Sequence, residues 1–262
     1  MKFQDKRGSM NILSKASTNH KTKKSLVSGK YDGGIVHLTP SNISGLGNVC
    51  PFASAGCKAS CLYTAGFGVF KTVKAGRLRK TRLFFKHKGL FFETLHKDID
   101  LLLSRCKKAG KRPFVRLNGT SDINWGNFKV FNGKNIFQEF PNVNFYDYTA
   151  DYKKLIDNKE SNYVMTFSLK ENNGEKALKA LALGFNVSAV FLGGTLPKTY
   201  LGVRVLDGDK EDLQFLYPKG VIVGLRAKGK ARKDTTGFAV DLNKKSLDKS
   251  LKPWYSSKVV NN

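Results

Sequence analysis

The sequence predicts an α/β fold with mainly parallel strands, and three observations carry that prediction. About seven short apolar segments, at 34–38, 114–117, 143–148, 163–167, 187–192, 203–206 and 221–225, alternate with helical or irregular stretches. Each is followed at once by polar, charged or glycine residues, the composition that parallel α/β folds collect at the C-terminal edge of the sheet. The 262 residues are 40% hydrophobic, enough for one sizeable core, and no apolar run is long enough for a membrane span or a signal peptide. We expect a partial or closed β/α barrel of about six to seven strands, with a cysteine loop after the first; an open doubly wound sheet is the second choice.

In chain order, residues 1–30 are polar and basic with little apolar periodicity, and read as a flexible arm. A single domain is expected over 31–245, with a tail at 246–262. The strand at 34–38 is bounded by Gly33-Gly34 and Thr39-Pro40. A basic helix over 69–88 is broken by Gly89, and a second helix follows over 90–108. The stripe Phe92, Leu95, Ile99, Leu102 and Cys106 marks its buried face, and Gly110 is its stop signal. Strands then alternate with further segments, including a helix over 175–183 ended by Gly184 and Asn186.

Three of the four cysteines, Cys50, Cys57 and Cys61, fall within twelve residues at C-x6-C-x3-C spacing, among glycine, proline and small residues that let the chain fold back. Nearby thiolates in a reducing cytosol suit a soft metal, either a 4Fe-4S cluster or zinc. The six-residue gap is long for a zinc knuckle, and a cubane tolerates it better. The other reading is three ordinary thiols or a disulfide. Cys106 and His37 are the candidates for a fourth ligand; Cys106 fits the core stripe of its helix better. Without either, one iron would be open.

Charge is the second strong signal. Lys and Arg number 46 against 20 Asp and Glu, a net charge of +26. Such a surplus attracts polyanions, nucleic acid above all. No acidic residue lies between Asp32 and Glu93, and that interval holds Lys71, Lys74, Arg77, Arg79, Lys80 and Arg82; a second run comprises Arg226, Lys228, Lys230, Arg232 and Lys233. These residues are the expected nucleic-acid contacts, with DNA and RNA both open.

In a chain poor in acid, the carboxylates and hydroxyls at strand ends could point into one mouth: Asp122, Asp147, Tyr148, Ser168, Asp207, Asp209 and Asp212. Their ordinary roles are in turns and helix caps. Asn118, Gly119, Thr120, Ser121 and Asp122 form the best candidate cradle for a small polar ligand. Asp147 and Tyr148 are the candidate catalytic pair. The sequence carries neither a Walker A motif nor a dinucleotide-binding glycine fingerprint.

Several motifs in order resemble the bacteriophage gene product 88 family: His37-Leu38-Thr39-Pro40, the 48–66 cysteine loop, Arg116 to Asp122, Phe145 to Thr149 and Val221 to Gly229. The resemblance spans about 30–241 and implies expression in the cytoplasm of an infected bacterium. A looser similarity is to radical S-adenosylmethionine enzymes, which hold a 4Fe-4S cluster by three cysteines after the first strand of a partial barrel. It implies that Cys50, Cys57 and Cys61 hold the cluster, that 118–122 lies near S-adenosylmethionine, and that Tyr148 or Cys106 could donate hydrogen. The spacing departs from that superfamily's C-x3-C-x2-C. Two functions follow as expectations: a radical enzyme acting on nucleic acid or a nucleotide, or a non-catalytic nucleic-acid-binding protein with a structural cluster or zinc. A host protein partner is a third reading.

Overall fold

The computed structural model describes residues 10–243. Its elements are β1 (Leu13–Lys15), α1 (His20–Ser25), β2 (Tyr31–Val36), α2 (Ala55–Ala59), α3 (Lys71–Lys86), α4 (Lys88–Ala109), β3 (Arg112–Arg116), α5 (Ile136–Glu139), β4 (Asn144–Thr149), α6 (Tyr152–Ile156), β5 (Tyr163–Ser168), α7 (Gly174–Ala182), β6 (Val187–Phe191), β7 (Thr199–Tyr200), β8 (Val203–Asp207), β9 (Ile222–Arg226) and β10 (Ala239–Val240). All seven expected apolar segments are strands. The break between the two long helices falls at His87, and Gly89 sits in the first turn of α4; Gly110 caps α4 at φ 64°, a left-handed conformation natural to glycine.

The strands form one sheet in the order β1-β2-β3-β4-β5-β6-β9-β8-β7, with β10 beside β6. Every pair from β2 to β8 along this order is parallel, whereas β1 and β7 add antiparallel strands at the two edges. The sheet is open, which corrects the closed barrel. Closure would require β2 and β8 to offer free edges, and β1 and β7 already occupy them. The doubly wound alternative does not describe it either, because β2 to β6 lie side by side in sequence order without the reversal that defines that fold.

In-order winding with right-handed crossovers puts the connecting helices on one face. There α4 buries Phe91, Phe92, Leu95, Ile99, Leu102 and Cys106 in the same cluster as Val36, Val115, Phe145, Phe167 and Val187. Cys106 is a core side chain, its thiol 3.9 Å from the Asp32 carbonyl.

The other face would be bare without the N-terminal segment. Ala16 and Leu26 pack there with Tyr31, Phe114, Tyr146, Leu213 and Phe215. The flexible-arm reading is thus corrected for the described part of 1–30: β1 pairs with β2, and α1 lies over the sheet. Residues 1–9 and the expected tail at 246–262 lie outside the described residues.

Asp212 fastens this cover. Its fully buried carboxylate pairs with Lys21 at 2.8 Å and Arg116 at 3.5 Å and accepts from the Tyr146 hydroxyl at 2.8 Å, while its N–H donates to Ser25 Oγ at 3.0 Å. Burial pushes the carboxyl pKa up, but Lys21 and Arg116 outweigh it and hold it at about 2. Removing one side of such a buried pair typically costs about 3–5 kcal/mol, so the segment is held as firmly as the core.

Candidate functional site

The segment between β2 and α3 runs along the C-terminal edge of the sheet, and its hydrogen bonds trace the path. The Val49 carbonyl accepts from the Asp122 N–H at 2.8 Å, tying the chain before Cys50 to the loop after β3. Ser54 Oγ and the Gly56 N–H each donate to a carboxylate oxygen of Glu171 at 2.8 Å, and Lys170 Nζ donates to the Phe52 carbonyl at 3.1 Å. The middle of the loop is thereby held to the segment after β5. Gly56 is required there, because a Cβ would come within 2.2 Å of Thr236 Oγ1 and 2.7 Å of Phe238 Cβ.

Each sulfur of the loop receives a hydrogen bond. The Ser41 N–H donates to Cys50 Sγ at 3.3 Å, the Lys170 side chain to Cys57, and the Tyr63 backbone N–H to Cys61. The thiols lie close enough to influence one another's ionisation. Yet among the described residues no three His, Cys, Asp or Glu side chains are gathered tightly enough for a single metal ion. A zinc site draws all its ligands to about 2.3 Å of one centre, whereas a cubane takes each thiolate on a different iron and spreads them. The arrangement fits the second donor geometry better. Burial raises all three thiols, Cys50 to about 11, so without metal they are neutral; the donors aimed at sulfur are those a bound thiolate needs.

The strand-end residues do not share one mouth, because neighbours on a strand face opposite sides. Asp147 turns to the helix side, where it accepts from the Asn118 N–H at 2.7 Å, Asn118 Nδ2 at 3.2 Å and the Tyr163 hydroxyl at 3.1 Å. Burial pushes its carboxyl up to about 7, against the pull of Arg116 and the Asn118 N–H. Asn118 Oδ1 accepts from Ser121 Oγ, the Ile123 N–H and Trp125 Nε1. Thr120 Oγ1 donates to the Leu38 carbonyl, and Asp122 takes donors from Thr149, Ala150 and Lys154. The polar side chains of 118–122 are thus committed to holding the loop itself. Gly119 does allow a close approach, since a Cβ there would lie 2.6 Å from His37 Nδ1. Asp207 and Asp209 pair with Arg226, and Asp209 also with Lys228.

Tyr148 faces the opposite way, away from the helices. Its hydroxyl accepts from Lys21 Nζ at 3.0 Å, and its ring lies 4.9 Å from the Arg116 guanidinium carbon. Register places Ile35 beside Arg116, Tyr148 beside Thr166 and Ser168 beside Ser188, so His37, Arg116, Tyr148, Thr166, Ser168 and Ser188 line one polar face. Arg116 and Lys21 were not singled out from sequence as site residues. The alternation of β3 could have found Arg116; nothing local marks Lys21 among the other basic residues of its segment.

Helix phase divides the first basic run. At about 100° per residue, Lys71, Arg79, Arg82 and Lys86 fall on one exposed stripe of α3 and form no ion pair among the described residues. Arg77 and Lys80 turn inward; Lys80 Nζ donates to the Ile12 carbonyl at 2.7 Å and Ser14 Oγ at 3.1 Å. Lys74 lies over the Tyr63 ring. In the second run Arg226 and Lys228 are neutralised by aspartates, whereas Lys230, Arg232 and Lys233 are exposed, in a turn that contacts residues 62–64. Phe52, Phe67 and Phe70, each about half exposed, add aromatic surface around the cysteine loop.

A family model described as Gene product 88 matches residues 11–242. No curated protein and no solved structure matches the chain. Among the described residues no helix is long and apolar enough to cross a membrane.

The position of Asp147 yields a pH test. Its folded pKa near 7 exceeds the ordinary 3.8, so the folded state retains a proton that the unfolded state loses, and stability falls as pH rises across that window. The full swing is about 4 kcal/mol at roughly 1.4 kcal/mol per pKa unit. Urea unfolding of wild type and Asp147→Asn at several pH values across the window is expected to show that decline flattened in the variant. Parallel pH profiles would contradict the assignment.

Proposed function

The chain belongs to the gene product 88 family, and on that premise we propose that it is a phage-encoded iron–sulfur protein, a radical S-adenosylmethionine-like enzyme acting on nucleic acid or a nucleotide in the host cytoplasm. The observation that carries the reading is the set of three hydrogen-bonded sulfurs at the C-terminal edge of a parallel sheet, spread too widely for one ion. Cys50, Cys57 and Cys61 would hold the cluster, and Cys106, in the α4 core, would not complete it. A 4Fe-4S centre with one iron lacking a protein ligand can bind S-adenosylmethionine and supply the electron for its reductive cleavage. Of the two candidate catalytic residues, Tyr148 lies on the polar face and Asp147 does not, so a role toward substrate falls to Tyr148. The side chains of 118–122 are occupied, which leaves Ser168 as the free member of the expected cofactor cradle.

The nucleic-acid half of the proposal is supported by the unpaired stripe on α3, by Lys230, Arg232 and Lys233, and by exposed phenylalanines suited to stacking on bases. These features also support the second reading, a non-catalytic binding protein with a structural cluster. A host protein partner would use the same exposed surface.

Two experiments test the proposal. Anaerobic reconstitution with iron and sulfide is expected to load about four irons and four sulfides per chain. Cys50→Ala, Cys57→Ala and Cys61→Ala should each lose most of that iron, and Cys106→Ala should keep it. Stoichiometric zinc with no iron would contradict the cluster. For the polyanion, the salt dependence of single-stranded DNA binding is expected to lose about 3 from its log–log slope when Lys71, Arg79, Arg82 and Lys86 become Gln, at roughly 0.7 per phosphate. Lys80→Gln should leave the slope unchanged; an unchanged slope in the quadruple variant would exclude the stripe.

A further inference from the structure

Arg77 Nε and Nη1, Arg116 Nε, His37 Nδ1 and Thr39 Oγ1 are shut off from solvent with no hydrogen-bond partner. A buried polar atom left unpaired costs about 1–3 kcal/mol, and more when charged, so three orphaned guanidinium nitrogens point to an acceptor from outside the chain.

These groups belong to one neighbourhood. His37 follows Ile35, the partner of Arg116 on the adjacent strand, and stands diagonally across from that arginine on the same face. Arg77 reaches in from α3, where a short chain of hydrogen bonds fixes the helix to the end of β2: the Thr39 N–H donates to Thr81 Oγ1 at 2.8 Å, and that hydroxyl donates to the Arg77 carbonyl at 2.9 Å. Burial, then Arg77 and Arg116, hold the imidazole of His37 well below its usual pKa, so it adds no charge of its own. Arg77 also lies within electrostatic reach of Cys61.

The charges do not balance. Lys21, Arg77 and Arg116 are set against Asp212 alone, which leaves a surplus of two. The nearby carboxylates Asp122 and Glu171 are committed to Lys154 and to the cysteine loop. Lys80 spends its donors on the Ile12 carbonyl and Ser14. A carboxylate ligand would cancel half of this surplus and a phosphate monoester dianion all of it, with a geometry that guanidinium forks match.

We propose that Arg77, Arg116, His37 and Thr39 form a buried site for a small dianionic oxyanion of the phosphate-monoester class. The site requires no metal at the cysteines and stands whether or not they carry one.

The probe is inorganic phosphate, titrated calorimetrically into the full chain without metal near neutral pH. Arg77→Gln is the informative variant, because the contacts that fix this residue run through its main chain and the fold should survive. It is expected to weaken phosphate at least tenfold, Arg77→Lys less so, and acetate should bind at least tenfold more weakly than phosphate. Arg79→Gln, on the exposed stripe, should bind phosphate as wild type does, and so should the triple variant with Cys50, Cys57 and Cys61 changed to Ala. Equal affinity in wild type and Arg77→Gln would place phosphate on surface lysines and overturn the proposal. Acetate binding as tightly as phosphate would overturn the dianion assignment, and loss of binding in the triple cysteine variant would overturn the site's independence from the metal.

Discussion

The carboxylate of Asp212 is the interaction on which the second face of this sheet depends. A sheet wound in order, with its connecting helices on one side, leaves the other side to be covered by something else. Here that cover comes from the two ends of the fold, the N-terminal segment and the loop after β8. Lys21, Ser25, Tyr146 and Arg116 all meet Asp212, joining both covers to β3 and β4 at one buried point. Desolvating these charges is costly, and the full set of partners is what makes the arrangement tenable. The same contacts set Arg116 beside Tyr148, so the anchor of the fold also lays out its polar face.

Strand parity then divides the chemistry. Asp147 and Tyr148 are neighbours in sequence, yet one secures the Asn118 loop within the helix-side packing and the other looks toward Lys21 and Arg116. The loop after β3 is a rigid support whose polar side chains satisfy one another. Its use to the cysteine segment lies in its main chain: the Asp122 N–H holds Val49, and the Thr120 carbonyl lies 3.7 Å from Cys50 Sγ. Glu171 and Lys170 do the same work from the segment after β5. The cysteines are thus held by backbone and second-row contacts from three strand ends.

Much of this was legible in the sequence. The seven central strands are apolar runs long enough to show, and the Cys106 stripe reported the buried face of α4. The two- and three-residue strands β1, β7 and β10 carry no periodicity, and β1 and β7 decide whether the sheet closes, so its openness was invisible. The N-terminal segment looks like a solvated arm because Ile12, Leu13 and Ala16 are few among many polar residues, and its anchor is an ion pair with a residue 191 positions away. Strand-end composition announced polar groups without saying which face each takes. The division of the α3 basic run could have been found from helix phase alone, since Arg77 and Lys80 fall off the arc shared by Lys71, Arg79, Arg82 and Lys86.

The proposed enzyme requires an iron at the cysteine loop that no protein side chain completes, next to a face rich in unpaired donors. Electron paramagnetic resonance of the anaerobically reconstituted, reduced protein tests this most directly, recorded with and without S-adenosylmethionine. The account predicts a cubane signal whose g-values shift when S-adenosylmethionine is added. A cubane signal that stays unchanged would contradict it and leave the cluster a structural element of a nucleic-acid-binding protein.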